Sequence, residues 1–112
     1  MKKMKNLVVR QGDVLIMSAK AVPSDLVQVP RDKDRIVLAY GEVTGHSHAI
    51  ADPQAALFSS PSTTDRFLRI MAASGAALVH EEHSTILLPP GDYIVRLQRE
   101  YQAPDITRTV AD

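Results

Sequence analysis

Short apolar runs, each bounded by glycine, proline or charged residues, recur along the chain and constrain its fold more than any other feature. The clearest runs are Asp13 to Met17, Arg35 to Tyr40, Arg66 to Met71 and Tyr93 to Tyr101. Runs of this length between turn residues are typical of β-strands. No apolar stripe of helical period continues beyond about two turns without a Gly or Pro. We therefore expect an all-β fold, a small β-barrel or sandwich of short, mostly antiparallel strands.

The longest run, residues 93 to 101, shows the period of two that a half-buried strand requires. Its more apolar face is expected to point inward and consists of Tyr93, Val95, Leu97, Arg99 and Tyr101. A turn is predicted immediately before it, over Pro89-Pro90-Gly91-Asp92. By contrast, residues 19–34 contain two prolines and a charged stretch, which predict a loop.

Length and composition limit the organisation of the chain. Its 112 residues are enough for one small core and too few for two. Hydrophobic residues make up 45% and charged residues 23%, which argues against overall disorder. We expect one β-rich domain over residues 1–112, with flexible ends at residues 1–6 and 105–112.

Charge and cysteine content narrow the partners and the compartment. Thirteen basic and thirteen acidic residues give a formal net charge of zero, so no overall positive field attracts nucleic acid or an acidic membrane surface. No run approaches the ~18 apolar residues of a membrane span. With no cysteine, the chain has neither disulfides nor thiolate ligands. We expect a cytoplasmic protein; a small-molecule ligand and assembly into a homo-oligomer remain open.

All four histidines fall into two short clusters, Gly45-His46-Ser47-His48 and His80-Glu81-Glu82-His83. On a strand, residues two apart face the same side, so the first pair of imidazoles converges. The second pair converges in a two-residue hairpin, in a helical turn or at a β-bulge, and its spacing does not choose among them.

Neutral imidazole is a favoured ligand of Zn, Fe and Ni, and carboxylates add affinity for Mn and Fe. The clusters therefore predict a divalent transition metal site of Zn, Fe, Mn or Ni. The predicted ligands are His46, His48, His80 and His83, with Glu81 or Glu82 as a further ligand or as a hydrogen-bond partner of a ligand. If the site is catalytic, metal-assisted hydrolysis and dioxygen chemistry are the reaction classes that it permits.

A shared site requires that the two clusters meet, although about thirty residues separate them. The strand after Gly45 can bring them together by pairing with the strand that ends at His80. Ring nitrogens of the two clusters are then expected within roughly 5 Å of one another. The alternative is a non-enzymatic module without metal, in which the His/Glu loops recognise a protein or RNA partner.

Short motifs in the sequence resemble those of two protein families. Gly41, His46 and His48 resemble the start of the first cupin motif, with Asp52 at the position of its Glu, and Pro89-Pro90-Gly91 resembles the Pro-x-Gly of the second. Cupins place their remaining His after that Pro-x-Gly, whereas His80 and His83 precede it here. More of the chain resembles a small family of uncharacterised bacterial proteins, and the words that carry this resemblance are Gln11-Gly12-Asp13-Val14-Leu15, Gly41-Glu42-Val43-Thr44-Gly45-His46-Ser47-His48, His80-Glu81-Glu82-His83, Leu88-Pro89-Pro90-Gly91-Asp92-Tyr93 and Gln98-Arg99-Glu100-Tyr101. The second resemblance implies one cytoplasmic domain and no particular activity.

Overall fold

Ten short strands make up the regular structure in a computed structural model that describes residues 6–41 and 45–97. They are β1 (Val8–Gln11), β2 (Val14–Ser18), β3 (Val27–Gln28), β4 (Ile36–Tyr40), β5 (Ser47–Ile50), β6 (Ala55–Ser60), β7 (Thr63–Ile70), β8 (Ala76–Val79), β9 (Ile86–Leu88) and β10 (Gly91–Leu97). No described residue is helical, and this part of the chain therefore contains no helix able to cross a membrane.

The strands form two sheets in which every pairing is antiparallel. The larger sheet has the order β1-β2-β10-β7-β6-β3, and the smaller one has the order β4-β5-β8-β9. The all-β prediction is confirmed in its sandwich form, because neither sheet closes on itself into a barrel. Closure would require hydrogen bonds between the edge strands of a sheet, and β3, at one edge, offers only two residues.

The core lies between the two sheets and follows from the period-two alternation of their strands. The larger sheet contributes Ile16 and Leu68, and the smaller sheet contributes Leu38, Ile50 and Leu78, all at most 1% exposed. Burial of these side chains supplies the main driving force for packing the sheets together.

The predicted inward face of the last strand is confirmed where the structure describes it. Tyr93 and Val95 are buried, and Leu97 packs against the core at its margin. The remaining members of that predicted face, Arg99 and Tyr101, lie outside the described residues.

One region expected as a loop is partly strand. Residues 19–34 contain β3, whose Val27 and Gln28 pair with β6. A two-residue edge strand has no alternation of its own, because its pairing depends on the neighbouring strand and not on its sequence.

The register of the smaller sheet brings the two histidine clusters together. Strand β5 pairs antiparallel with β8, and Ala49 lies opposite Val79. The start of β5 therefore lies beside the end of β8, which is the pairing that the sequence predicts for a shared site.

Candidate metal centre

All four histidine rings meet in one cluster, with His80 at its centre. The His80 ring centroid lies 4.2 Å from that of His48, 4.6 Å from that of His83 and 5.6 Å from that of His46. Three segments supply the cluster and its surroundings: the β1–β2 turn, the start of β5 and the six-residue loop from His80 to Thr85 between β8 and β9.

Within this cluster, His46, His80 and Glu81 form the group best suited to a metal ion. One ligand atom from each lies within 4.8 Å of the other two. The expected approach of the two clusters is confirmed for His46 and His80. Bonds of about 2.0–2.2 Å allow two ligands of one ion to lie no more than about 4.4 Å apart, so the group has to contract slightly to hold an ion. Coordination by the six predicted ligands stays a prediction.

The two glutamates of the loop have different environments. The Ser47 backbone N–H donates to Glu81 Oε1 at 2.9 Å, and this bond is the largest cause that lowers the pKa of the Glu81 carboxyl. Nearby His46 and His80 lower the same pKa further. Glu82 Oε2 lies 3.7 Å from His46 Nδ1, and its side chain is 66% exposed. The geometry thus distinguishes Glu81, held as a carboxylate against β5, from Glu82 at the rim.

His48 is the most deeply buried of the four histidines, at 3% exposure. Its Nδ1 lies 2.8 Å from Oε1 of Gln11, a glutamine that is itself 2% exposed. On the other side of the ring, Nε2 lies 4.0 Å from Asp13 Oδ1. The sequence did not single out Gln11 and Asp13 as site residues. Their one signal is that they belong to Gln11-Gly12-Asp13-Val14-Leu15, one of the sequence words that resemble the uncharacterised bacterial family.

Gly12 forms the floor of the cluster between His48 and His83. An added Cβ at this position would lie 2.9 Å from His83 Nε2 and 3.2 Å from His48 Cε1. The backbone of Gly12 also has a φ of +60°, which L side chains rarely adopt. Both the turn and the close approach of the rings therefore require glycine here.

The second cluster converges without any of the three local geometries that its spacing allowed. A two-residue hairpin is wrong, because pairing between β8 and β9 starts with Leu78 opposite Ile86. The loop instead folds so that the Glu82 backbone N–H donates to His80 Nδ1 at 3.0 Å. Nδ1 of His80 is thus a hydrogen-bond acceptor, and the neutral ring carries its proton on Nε2. Coordination through either nitrogen of a neutral His80 requires this bond to break.

Comparison with known proteins gives one finding for this chain. A family model described as "Domain of unknown function (DUF8820)" matches residues 10–98. That range includes both histidine clusters and the β1–β2 turn. No curated protein and no solved structure matches the chain. The match confirms a family without assigned function, and it tests neither the individual motif words nor the cupin resemblance.

Proposed function

Since the chain belongs to the DUF8820 family, whose function is unknown, we propose a function from the geometry of the histidine cluster. We propose that this protein binds one divalent transition metal ion through His46, His80 and Glu81. The observation that carries this proposal is the mutual approach of three ligand atoms from the two clusters to within 4.8 Å. Two of these residues are half-buried and one is exposed, so an ion can enter from solvent.

Two imidazoles and one carboxylate are a ligand set that suits Zn and Fe, with Mn and Ni as further candidates. Three protein ligands leave coordination positions open for water or a small-molecule ligand. Such a centre permits metal-assisted hydrolysis or dioxygen chemistry. His48 and His83 lie beside the group and serve as additional ligands or hydrogen-bond partners. Glu82 lies at the rim and is not assigned to the ion. A chain without cysteine fits a reducing cytoplasm, where we place this function.

Elemental analysis tests the proposal directly. Protein purified without a metal-affinity tag is expected to carry about one first-row metal ion per chain, because one converging group holds one ion. Less than about a tenth of that, with no binding of added Zn, Mn, Fe or Ni, would overturn it. The interaction module without metal would then be the better interpretation of the His/Glu loops.

A matched pair of glutamate variants identifies the carboxylate ligand. Glu81→Gln is expected to weaken zinc binding at least about tenfold, since the amide retains the size but not the charge of the carboxylate. Glu82→Gln, which makes the same change one residue away, is expected to change it less than about threefold. Titration calorimetry with zinc chloride measures both. Equal effects of the two variants would contradict the assignment of Glu81.

A further inference from the structure

We infer that Gln11 is a positioning residue of this centre: it fixes the neutral His48 ring with its proton on Nδ1, so that Nε2 is the nitrogen presented to the metal ion. The inference rests on the proposed function and deepens it. It explains why a glutamine is buried at the end of β1, where the strand meets the histidine cluster.

The orientation of the Gln11 amide follows from its partners. Its Nε2 donates to two backbone carbonyls, Leu78 O at 3.0 Å and Ser84 O at 2.9 Å. A carbonyl oxygen only accepts, so both amide hydrogens must point at these two atoms. The flipped amide would place Oε1 against two carbonyl oxygens and lose both bonds. Gln11 Oε1 is therefore the atom that faces His48.

The His48 tautomer follows in the same way. Gln11 Oε1 is an acceptor, so the nitrogen at 2.8 Å, His48 Nδ1, must donate. A neutral imidazole has one N–H, and its lone pair then belongs to Nε2. That atom lies 4.0 Å from Asp13 Oδ1, a separation longer than a hydrogen bond.

The Gln11 side-chain amide also forms hydrogen bonds to each of the other segments that make up the centre. Gln11 belongs to β1, Leu78 to β8, Ser84 to the β8–β9 loop and His48 to β5. Metal-binding histidines commonly donate their second N–H to an oxygen that orients the ring, and loss of such a partner costs about 10–100-fold in metal affinity. A buried carboxamide is well suited to this role, because it donates to the scaffold and accepts from the ring at once.

Nuclear magnetic resonance of the ¹⁵N-histidine-labelled, chelator-treated protein at about pH 8 tests the tautomer without any metal. His48 is expected to show a protonated Nδ1 and an unprotonated Nε2. Protonation of Nε2 instead would overturn the inference, whether or not the protein binds metal. This measurement uses the unaltered chain, so it does not depend on the folding of any variant.

Two variants then separate positioning from packing. Gln11→Leu removes the acceptor and both donors, whereas Gln11→Glu keeps an acceptor oxygen for His48 and loses donors. Zinc titration is expected to show about 10–100-fold weaker binding for Gln11→Leu and at most about threefold weaker binding for Gln11→Glu. Melting temperatures should fall for both, because both leave buried carbonyls without a donor.

The outcomes decide between the two roles. Equal weakening by the two variants would show that only packing matters, and unchanged binding by Gln11→Leu would show that the ring needs no positioning; either result overturns the inference. If the unaltered protein binds no zinc, the proposed function fails and with it the metal-directed part of the inference. The tautomer measurement still decides whether Gln11 orients His48.

Discussion

At the residue scale, glycine geometry controls how closely the histidine rings approach the backbone. Gly12 and Gly45 both adopt positive φ, +60° and +89°. They differ in their surroundings, because a Cβ on Gly12 would crowd His83 and His48, whereas a Cβ on Gly45 would meet nothing within 4 Å. A side chain at Gly45 would therefore introduce backbone strain alone, whereas a side chain at Gly12 would also displace the histidine rings.

The matched pair Gly12→Ala and Gly45→Ala uses that difference. Each is expected to cost about 1–2 kcal/mol in the free energy of unfolding through left-handed strain. Gly12→Ala should cost more, and it alone should weaken zinc binding, because the new methyl displaces His83 and His48. Urea unfolding and zinc calorimetry measure the two effects. Equal zinc affinity in the two variants would contradict a role for Gly12 as the floor of the centre.

At the element scale, a tight turn leads into β4. Asp32 and Arg35 exchange two backbone hydrogen bonds, and the two residues between them, Lys33 and Asp34, have φ of 55° and 66°. Positive φ at both central positions defines a type I′ turn, for which Asn-Gly is the preferred sequence. The chain therefore stores strain in this turn that a glycine would relieve.

Asp34→Gly is accordingly expected to raise the free energy of unfolding by about 0.5–1 kcal/mol. For a domain of this size, that corresponds to a rise of a few degrees in melting temperature. Lys20→Gly is the control: Lys20 is exposed and has no positive φ, so it should show no gain. A lower melting temperature for Asp34→Gly would contradict the strain assigned to the turn.

A second element-scale contact joins the segment before β3 to the end of β6. The Ser60 hydroxyl donates to Asp25 Oδ1 at 2.7 Å, and this bond is the largest cause that lowers the pKa of the Asp25 carboxyl below its ordinary 3.8. The folded state thus favours ionised Asp25. Its stabilisation is present above about pH 4 and is lost as the pH falls through the lowered pKa.

Ser60→Ala should therefore lower the melting temperature at pH 7, with a smaller difference from the unaltered protein at about pH 2.5. Thermal melts across this range measure the difference. Ser59→Ala, one residue earlier on the same strand, is the control, and its difference should not depend on pH. A difference for Ser60→Ala that stays constant over the range would contradict the linkage.

At the scale of the whole molecule, the proposed metal site would couple ion binding to folding. His46 and His80 lie on separate segments of the chain, and the pairing of β5 with β8 brings them together. An ion that binds only the folded chain stabilises it by about 2.7 kcal/mol at a hundred times its dissociation constant.

Saturating zinc is thus expected to raise the melting temperature on the order of 10 °C, and a chelator should reverse the rise. His80→Ala removes the central ring and should abolish the shift. Differential scanning calorimetry with and without zinc measures it. A shift of the same size in His80→Ala would place the ion elsewhere.

Local patterns were sufficient to identify four of the strands, β2, β4, β7 and β10, and the two histidine clusters. Alternation within residues 93 to 101 placed Tyr93 and Val95 in the core, because side-chain direction along a strand depends only on the period of two. The clustering of all four histidines likewise indicated one site, because ligand chemistry depends on residue type. Short edge pairings such as that of β3 carry no such local signal.

Beyond the approach of the two histidine clusters, the contacts between distant segments were decided by the tertiary structure. The strands form two open sheets instead of a barrel, and Glu81, not Glu82, lies grouped with His46 and His80. Gln11 and Asp13 lie beside His48. All of this follows from which strands pair. Spacing along the chain does not reveal these pairings, since loops of many lengths close at similar entropic cost. The burial of the shared core selects among them, and that selection places the β1–β2 turn beneath the histidines.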